Sequence, residues 1–201
     1  MSAQLLPLFP LHAALLPGAV LGLRVFEARY LDLVRECGRQ GSTFGVCLIL
    51  EGEEVGAPAT PAAWGVEARI EDFDMGADGV LQLKLRGMRR FHVLSTRVRD
   101  NGLVVARVQW CRPDDDGELQ PEHALLAVLL EHILEQAGSE FAGAGQALSD
   151  QAAWVGWRLA ELLPLEEQQR LLLLQEDDPC RRLDHLLAWI PEFDPSPETG
   201  L

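Results

Sequence analysis

The chain has 201 residues, of which 48% are apolar, and its formal net charge is -14. This composition excludes a disordered chain, and the length suffices for one large domain or two small ones without a structural metal or disulfide. The excess negative charge repels nucleic acid and anionic membranes, so neither is an expected partner.

Charge and turn residues divide the chain near residue 112. Residues 1–112 contain 13 basic and 12 acidic side chains, whereas residues 113–201 contain 4 and 19. The joining segment 112–117 reads Arg-Pro-Asp-Asp-Asp-Gly, which is acidic and rich in turn formers. We therefore predict two domains, residues 1–112 and residues 113–201.

The start of the chain is apolar and interrupted by proline. Residues 2–23 contain no Asp, Glu, Lys or Arg, which raises the question of a membrane segment. Pro7, Pro10 and Pro17 exclude one continuous helix, and no basic residues precede the apolar run. We expect core strands and loops here instead of a signal peptide or membrane span. A strand over 19–25 and a short amphipathic helix are predicted to follow.

Alternating apolar and polar residues predict a mostly β first domain. The later predicted strands, each bounded by turn residues, cover 43–50, 64–73, 81–86, 91–98 and 103–110. Between two of these strands, Gly87 predicts a bend or bulge. A small curled sheet or barrel suits the pattern because closure removes unpaired strand edges.

Apolar repeats at helical spacing predict a helical second domain. Helices are expected over 121–136, 150–163 and 165–175, and a fourth begins at Asp178-Pro179, an N-cap followed by proline. The apolar side of the first helix is expected to comprise Leu125, Val128, Leu129, His132 and Ile133. Four helices joined by short connections predict a small bundle.

The cysteines predict a reducing environment. Cys37, Cys47, Cys111 and Cys180 lie far apart in apolar runs and form no Cys-x-x-Cys motif. Buried free thiols are expected, since free cysteine packs like a small apolar residue. This favours a cytoplasmic location.

Several motifs in a fixed order resemble the N-terminal domain of Lon-type ATP-dependent proteases. They are LPLFPL (6–11), LLPG (15–18), RVFEARY (24–30), FGVCLIL (44–50), GVEARIEDF (65–73), DGVLQLKLRGMRRFHV (78–93) and LLLLQEDDPCRRLDHLLAWI (171–190). The resemblance implies an α+β fold, in which a PUA-like β-barrel-type subdomain is followed by a helical bundle. The residues that carry the signature are Phe26, Glu27, Arg29, Tyr30, Gly87, Arg90 and Phe91.

We assign structural roles to this signature. The three aromatic residues Phe26, Tyr30 and Phe91 are expected to pack between the sheet and the first helix. Arg29 lies at a helix start, where the macrodipole does not favour a cation, so we expect it to pair with an acidic group of the barrel.

The resemblance also implies a bacterial-type substrate-recognition module. Lon proteases couple an ATPase to a serine–lysine peptidase, but the sequence lacks the phosphate-binding motif GxxxxGK[ST]. A serine–lysine dyad needs a lysine whose amine can act as a base, but the single lysine, Lys84, is expected at a solvent-facing position of a strand. We expect a stand-alone, non-catalytic domain without cofactor or metal that binds unfolded or tagged protein or peptide. A separate protease is a further candidate partner, and the oligomeric state is left open.

Apolar residues in predicted loops are the candidate peptide contacts. They are Leu15, Leu16, Met75 and Phe141. Loops usually lie at the surface, and a cluster of exposed apolar residues marks an interaction site. Each of these side chains can instead pack into the fold.

Two other classes of function stay open on the residues alone. An RNA-binding PUA-like protein is favoured by arginines in the later strands, namely Arg86, Arg89, Arg90, Arg97, Arg99 and Arg107. Interleaved acidic residues and the lack of alternating aromatics favour surface ion pairs instead. An enzyme requires a pocket with converging ionisable groups. Glu131, His132 and Glu135 resemble part of a metal site, although a solvated acidic helix face explains them better.

Overall fold

The computed structural model describes residues 3–115, 117–137 and 150–190. Its strands are β1 Gln4–Leu11, β2 Val20–Val25, β3 Phe44–Glu51, β4 Thr60–Met75, β5 Leu81–Val98 and β6 Val104–Trp110. Its helices are α1 Ala28–Gln40, α2 Ala124–Ala137, α3 Ala152–Leu162, α4 Glu167–Gln175 and α5 Pro179–Trp189, and a 3-10 turn, Pro121–His123, precedes α2. This order of strands and helices confirms the α+β class.

The chain is divided into two compact units. The first, which we call the barrel unit, comprises Met1–Pro113 and Glu167–Gln175. The second, the helical unit, comprises Asp114–Glu166 and Glu176–Leu201. Within the described residues, no helix is long and apolar enough to cross a membrane.

Five strands of the barrel unit close into a ring. β1 pairs in parallel with β3 and antiparallel with β6. The antiparallel pairs β3–β4, β4–β5 and β5–β6 complete the circuit. A parallel pair requires a crossover connection, and the chain between β1 and β3 supplies it with β2 and α1. Among the described strands, β2 pairs only with the first part of β5 and lies outside the ring.

The interior of the ring is packed around Phe91. This side chain is fully buried together with Leu8 and Ala106. A Cβ atom at Gly45 or at Gly65 would lie 2.6 Å from the Phe91 ring. The two glycines therefore leave the space that the ring of Phe91 fills.

Gly87 lies at a register shift of the sheet, as predicted, and also permits close approach between two segments. It pairs with Ala68, and the β4–β5 register shifts between Val66 and Ala68. β5 runs unbroken through it, so the two strands predicted over 81–86 and 91–98 are one. Gly87 accepts a hydrogen bond from the Gly18 N–H and donates one to the Ala19 carbonyl, at 2.8 and 2.9 Å. A Cβ at this position would overlap the carbonyl oxygen of Leu16. The glycine thus holds the turn before β2 against the barrel.

Helix α4 packs on the barrel and not in the helical bundle where we expected it. Leu171 contacts Leu48 and Ala62 in one apolar cluster. The buried Arg90 donates a hydrogen bond of 2.9 Å to the carbonyl of Leu174, near the C-terminal end of α4. A cation at that end of a helix is favourable because the last carbonyls carry partial negative charge. Arg90, part of the family signature, therefore anchors α4 to β5.

The helical unit contains a buried arginine. Arg182 on α5 is fully buried and forms two hydrogen bonds to Asp114, at 2.9 and 3.2 Å. Its guanidinium lies 3.7 Å from the centre of the Trp157 ring, and Trp157 donates its indole N–H to Asp114 at 2.6 Å. The carbonyl of Glu176 accepts a further hydrogen bond at 3.0 Å. This network joins α3 and α5 to the segment before α2.

The buried side of α2 differs from the expected one. Leu126, Leu130 and Leu134 are buried, whereas Leu125 and Val128 are exposed. The helix is apolar around most of its circumference, so its spacing pattern does not specify which side packs inward. The N-cap of α5 is confirmed, since Asp178 accepts a hydrogen bond from the Cys180 N–H and proline follows it.

Candidate functional site

An apolar groove of about 910 Å³ lies in the barrel unit between α1 and the hairpin of β4 and β5. Its apolar lining consists of Val25, Phe26, Leu31, Val34, Ile70, Phe73, Met75, Val80 and Leu81. Strand pairing aligns part of this lining, because Leu81 lies opposite Val25 on one side and Met75 on the other. Side chains that are paired in this way point to the same face of a sheet, so the register of three strands builds the floor.

Helix α1 forms the opposite wall of the apolar groove. Its side chains Leu33 and Cys37 are buried, whereas Leu31 and Val34 are half-buried and line the groove. The apolar stripe of α1 is therefore wider than the surface that the barrel covers. The helix ends at Gly41, whose φ of 62° is a left-handed conformation that glycine adopts without strain.

Three large apolar side chains of the groove remain exposed to solvent. The exposed fractions are 58% for Phe26, 69% for Phe73 and 59% for Met75. Burying such a side chain completely contributes about 1.5–3 kcal/mol relative to leaving it in water. Apolar side chains clustered at a groove mark a site that gains free energy when a partner covers it.

Charged groups at the rim neutralise one another. Glu71 accepts hydrogen bonds of 2.8 and 3.2 Å from Arg86, and an Arg69 nitrogen lies 3.8 Å away. The hydrogen bonds from Arg86 are the main reason why the pKa of Glu71 lies below its ordinary value. Burial raises the pKa of the Cys37 thiol, which keeps it protonated near neutral pH. The groove therefore offers apolar contact, without a converging set of acid–base groups in its described lining.

The signature pair Glu27 and Arg29 fixes the chain at the start of α1, next to the groove residue Phe26. The Arg29 guanidinium lies 3.1 Å from a carboxylate oxygen of Glu27 and donates to the carbonyls of Gly102 and Glu54, at 3.3 and 3.5 Å. Glu27 also accepts the Gly56 N–H at 3.3 Å. The acidic partner of Arg29 is thus Glu27 at the helix start, and not a group of the barrel strands as we expected.

The candidate peptide contacts do not lie together in the structure. Met75 lines the apolar groove. Leu15 and Leu16 are buried in the turn before β2, so for these two the alternative of packing into the fold is the one observed. Their apolar side chains fill space beside the barrel, which a loop position in the sequence does not reveal. Phe141 lies outside the described residues.

The three aromatic residues of the signature lie in different environments. Tyr30 is buried and stacks on Phe9 with 3.8 Å between ring centres, while Phe91 packs inside the barrel. Phe26 is exposed at the groove, so its expected packing between sheet and helix is wrong.

Phe73 is a groove residue that the sequence analysis does not predict. A register shift between Ile70 and Asp72 brings Phe73 to the same face as Ile70, and simple alternation along the sequence does not reveal this.

The strand arginines are mostly engaged within the barrel unit. Arg89 donates hydrogen bonds of 2.9 and 3.3 Å to Glu67 and lies over the Trp110 ring. Burial raises the pKa of Glu67, but hydrogen bonds from Arg89 and Thr43 outweigh it and hold this pKa below its ordinary value. The remaining pairs are Arg86 with Glu71, Arg99 with Glu36 and Arg90 with the Leu174 carbonyl, while Arg97 and Arg107 are exposed. This arrangement favours surface ion pairs over an RNA-binding face.

The possible metal ligands do not converge. In the part of the chain that the structure describes, no group of three histidine, cysteine or acidic side chains is placed to hold a metal ion. Glu131, His132 and Glu135 are exposed on α2, and His132 shares a hydrogen bond of 2.7 Å with Gln136. These residues lie on a solvated helix face.

Comparison with known proteins gives a family match over most of the chain. Residues 5–192 match the family described as the ATP-dependent protease La (LON) substrate-binding domain. A Lon N-terminal domain protein from Xanthomonas campestris, solved by crystallography, is 66% identical with a TM-score of 0.80, and the match covers 92% of this chain and 98% of that chain.

Two more distant proteins are also similar. The N-terminal domain of a Mycobacterium avium complex Lon protease is 19% identical, with a TM-score of 0.69 over 94% of this chain and 100% of that chain, which shows a shared fold. Protein cereblon from Xenopus tropicalis is 32% identical over 113 residues, which are 54% of this chain. The matched region is 24% of cereblon, so the chain spans about a quarter of that protein's length.

Proposed function

The chain belongs to the family of Lon substrate-binding domains, and we propose that it binds unfolded or tagged polypeptide through its apolar groove. The observation that carries this proposal is the cluster formed by Phe26, Phe73 and Met75, which stays exposed beside a recess of about 910 Å³. Unfolded polypeptide exposes apolar side chains that a folded protein hides. Such side chains gain free energy when they leave water, whatever the exact sequence around them.

The module recognises polypeptide and performs no chemistry on it. The described groove lining contains apolar side chains and mutually paired rim charges. The sequence carries neither a phosphate-binding loop nor a second lysine. The partner that unfolds or cleaves the bound polypeptide is therefore a separate protease or protease domain. The cytoplasm is the proposed compartment of both.

An anisotropy titration tests the proposal. The probe is fluorescein-labelled α-lactalbumin that has been reduced and carboxymethylated, so that it cannot refold. We expect saturable binding that persists at high salt because apolar burial carries it. Met75→Glu should weaken binding at least about tenfold, since a carboxylate would have to be covered by the ligand. Val98→Glu, at an exposed apolar position of β5 that is not part of the groove lining, is the matched control.

Two results would contradict the proposal. One is equal binding by Met75→Glu, Val98→Glu and the unaltered protein. The other is failure to bind this polypeptide together with binding of a labelled single-stranded RNA that weakens steeply as salt is raised, which indicates phosphate contacts. The second result would favour the RNA-binding alternative and the exposed Arg97 and Arg107.

A further inference from the structure

We propose that the bound polypeptide lies in the apolar groove as an added β-strand, paired with the open edge of β4 over residues 69–75. This inference rests on the proposed function and specifies how the polypeptide is held. It assigns recognition to the main chain of β4 as well as to the apolar side chains. The preferred segments are extended, with apolar residues at alternate positions and basic flanks.

The open edge arises because β4 is longer than its neighbour β3. The last paired residues of β3 and β4 at this end are Phe44 and Ala68. β4 continues to Met75 and stays paired with β5 as far as Leu81. Among the described strands, none pairs with residues 69–75 on the side that β3 has left. These seven residues offer an edge of about 23 Å at roughly 3.3 Å per residue, with one register shift of the β4–β5 pairing between Ile70 and Asp72.

Backbone donors on this edge are turned away from β5. The N–H of Phe73 donates to the side chain of Asp72 at 2.9 Å, and the N–H of Met75 donates to the side chain of Asp74 at 2.7 Å. The N–H of Gly76 donates to the Val80 carbonyl across the hairpin at 2.9 Å. Successive residues of a strand direct their N–H groups to opposite sides, so those of Met75 and Phe73 face away from β5. An incoming strand can offer carbonyl oxygens to the same two N–H groups in place of the carboxylates.

The apolar groove lies beside this edge. Ile70, Phe73 and Met75 line it from β4, and residues 41–43, which immediately precede β3, line it from the other side. The groove thus reaches the start of β3, where β4 loses its partner strand. A polypeptide that extends the sheet there places alternate side chains against Phe73 and Met75. Strand addition combines main-chain hydrogen bonds for affinity with side-chain pockets for selectivity.

A glycine in the wall supports access to the groove. Gly38 lies within α1 and lines the groove, and a Cβ atom added to it would meet no other atom within 4 Å. Its φ lies outside the left-handed region, so neither packing nor backbone conformation requires glycine. A glycine inside a helix is destabilising relative to alanine, so its presence here is not explained by the helix itself. Glycine at this position leaves the groove open to a second backbone, which a large side chain would block.

Charge favours a foreign polypeptide over a second copy of this chain. Glu71 is already paired with Arg86 and Arg69, so the acidic side chains that the edge offers to a partner are Asp72 and Asp74. Two copies that paired through the same edge would bring these carboxylates together, and like charges on adjacent strands are destabilising. Acidic side chains on an open edge also suppress self-association in general. Basic residues flanking an apolar segment complement the same charges.

Selective N-methylation of a peptide tests the pairing. The probe is a fluorescein-labelled peptide of about ten residues with leucine and phenylalanine at alternate positions, threonine between them and lysines at both ends. One analogue is N-methylated at the apolar residues and another at the threonines. In a strand, alternate N–H groups face the same neighbour, so only one analogue loses the hydrogen bonds to β4. We expect one analogue to bind at least about tenfold more weakly and the other to bind like the unmodified peptide.

The other outcomes of the peptide titration each overturn one part of the proposal. Equal binding by all three peptides would overturn strand addition while leaving apolar recognition intact. Loss of binding by both analogues would also overturn it, because it indicates another backbone conformation, such as a helix. Failure of the unmodified peptide and of unfolded α-lactalbumin would reject the proposed function itself. A mass increase to a dimer in sedimentation, with peptide binding lost as the dimer forms, would assign the edge to a second copy.

Discussion

The apolar groove of the barrel unit and the buried arginine of the helical unit depart from the usual distribution of side chains in opposite ways. The groove leaves Phe26, Phe73 and Met75 in water. The helical unit removes a cation from water and surrounds it with Asp114 and Trp157. The exposed side chains of the groove gain free energy only when a ligand covers them. The buried cation is already compensated by its partners in the folded chain. Exposed apolar side chains therefore indicate function here, and the buried charge indicates a structural role.

Removing the partner of the buried arginine is expected to give the largest effect on stability. Asp114→Ala leaves the Arg182 cation buried without its carboxylate, and breaking a buried pair in this way costs about 3–5 kcal/mol. Urea unfolding followed by circular dichroism measures the loss. Arg181→Ala, which removes the exposed neighbouring arginine, should change the free energy of unfolding by less than about 0.5 kcal/mol. Equal effects of the two substitutions would contradict a structural role for the buried network.

Two glycines of the barrel unit distinguish a structural position from a functional one. Gly87→Ala should destabilise the protein by about 2–3 kcal/mol, because the added methyl group overlaps the Leu16 carbonyl. Gly38→Ala should leave stability unchanged or raise it by up to about 1 kcal/mol, because the methyl group meets only open space. Thermal unfolding of both variants measures the difference. A destabilised Gly38→Ala would show that this glycine serves the fold.

The pH dependence of stability tests the paired charges of the barrel unit. The folded-state pKa of Glu67 is lowered, so its contribution to the free energy of unfolding is complete above its ordinary pKa of about 4.3. That contribution is lost as the pH falls through the lower folded value. Glu67→Gln should lower the free energy of unfolding by about 2 kcal/mol at pH 7. This difference in stability from the unaltered protein, the gap, should shrink in acid. Glu51→Gln, at an exposed strand end, should show no such gap at either pH.

Much of the fold could be predicted from the sequence because local chemistry determines it. Proline spacing excluded a helix before residue 24, and alternation located β4 and β5. Asp178 and its following proline identified the start of α5. The placement of α4 could not be predicted, since short helix connections do not specify which neighbour a helix packs against. In α2 the apolar residues surround the helix, so the buried side is decided by tertiary contacts.

The candidate site was predictable only in part. Met75 was identified because it lies in a turn-rich segment, and it does line the groove. Phe26 belongs to the family signature, to which we assign structural roles, and its residue type alone does not indicate exposure. Its exposure depends on the register of three strands and on the Glu27–Arg29 network, which join residues far apart in the chain. The open edge of β4 depends on where β3 ends, and pairing lengths are not encoded locally.

Filling the apolar groove without disturbing the fold shows whether the groove is where polypeptide binds. Gly38→Trp places a large side chain in the groove from a position where a Cβ meets open space. We expect a melting temperature within a few degrees of the unaltered protein and at least about tenfold weaker binding of carboxymethylated α-lactalbumin. Gly38→Ala serves as the matched control and should bind nearly as well as the unaltered protein. A Gly38→Trp variant that folds normally and binds the unfolded polypeptide undiminished would show that recognition takes place elsewhere.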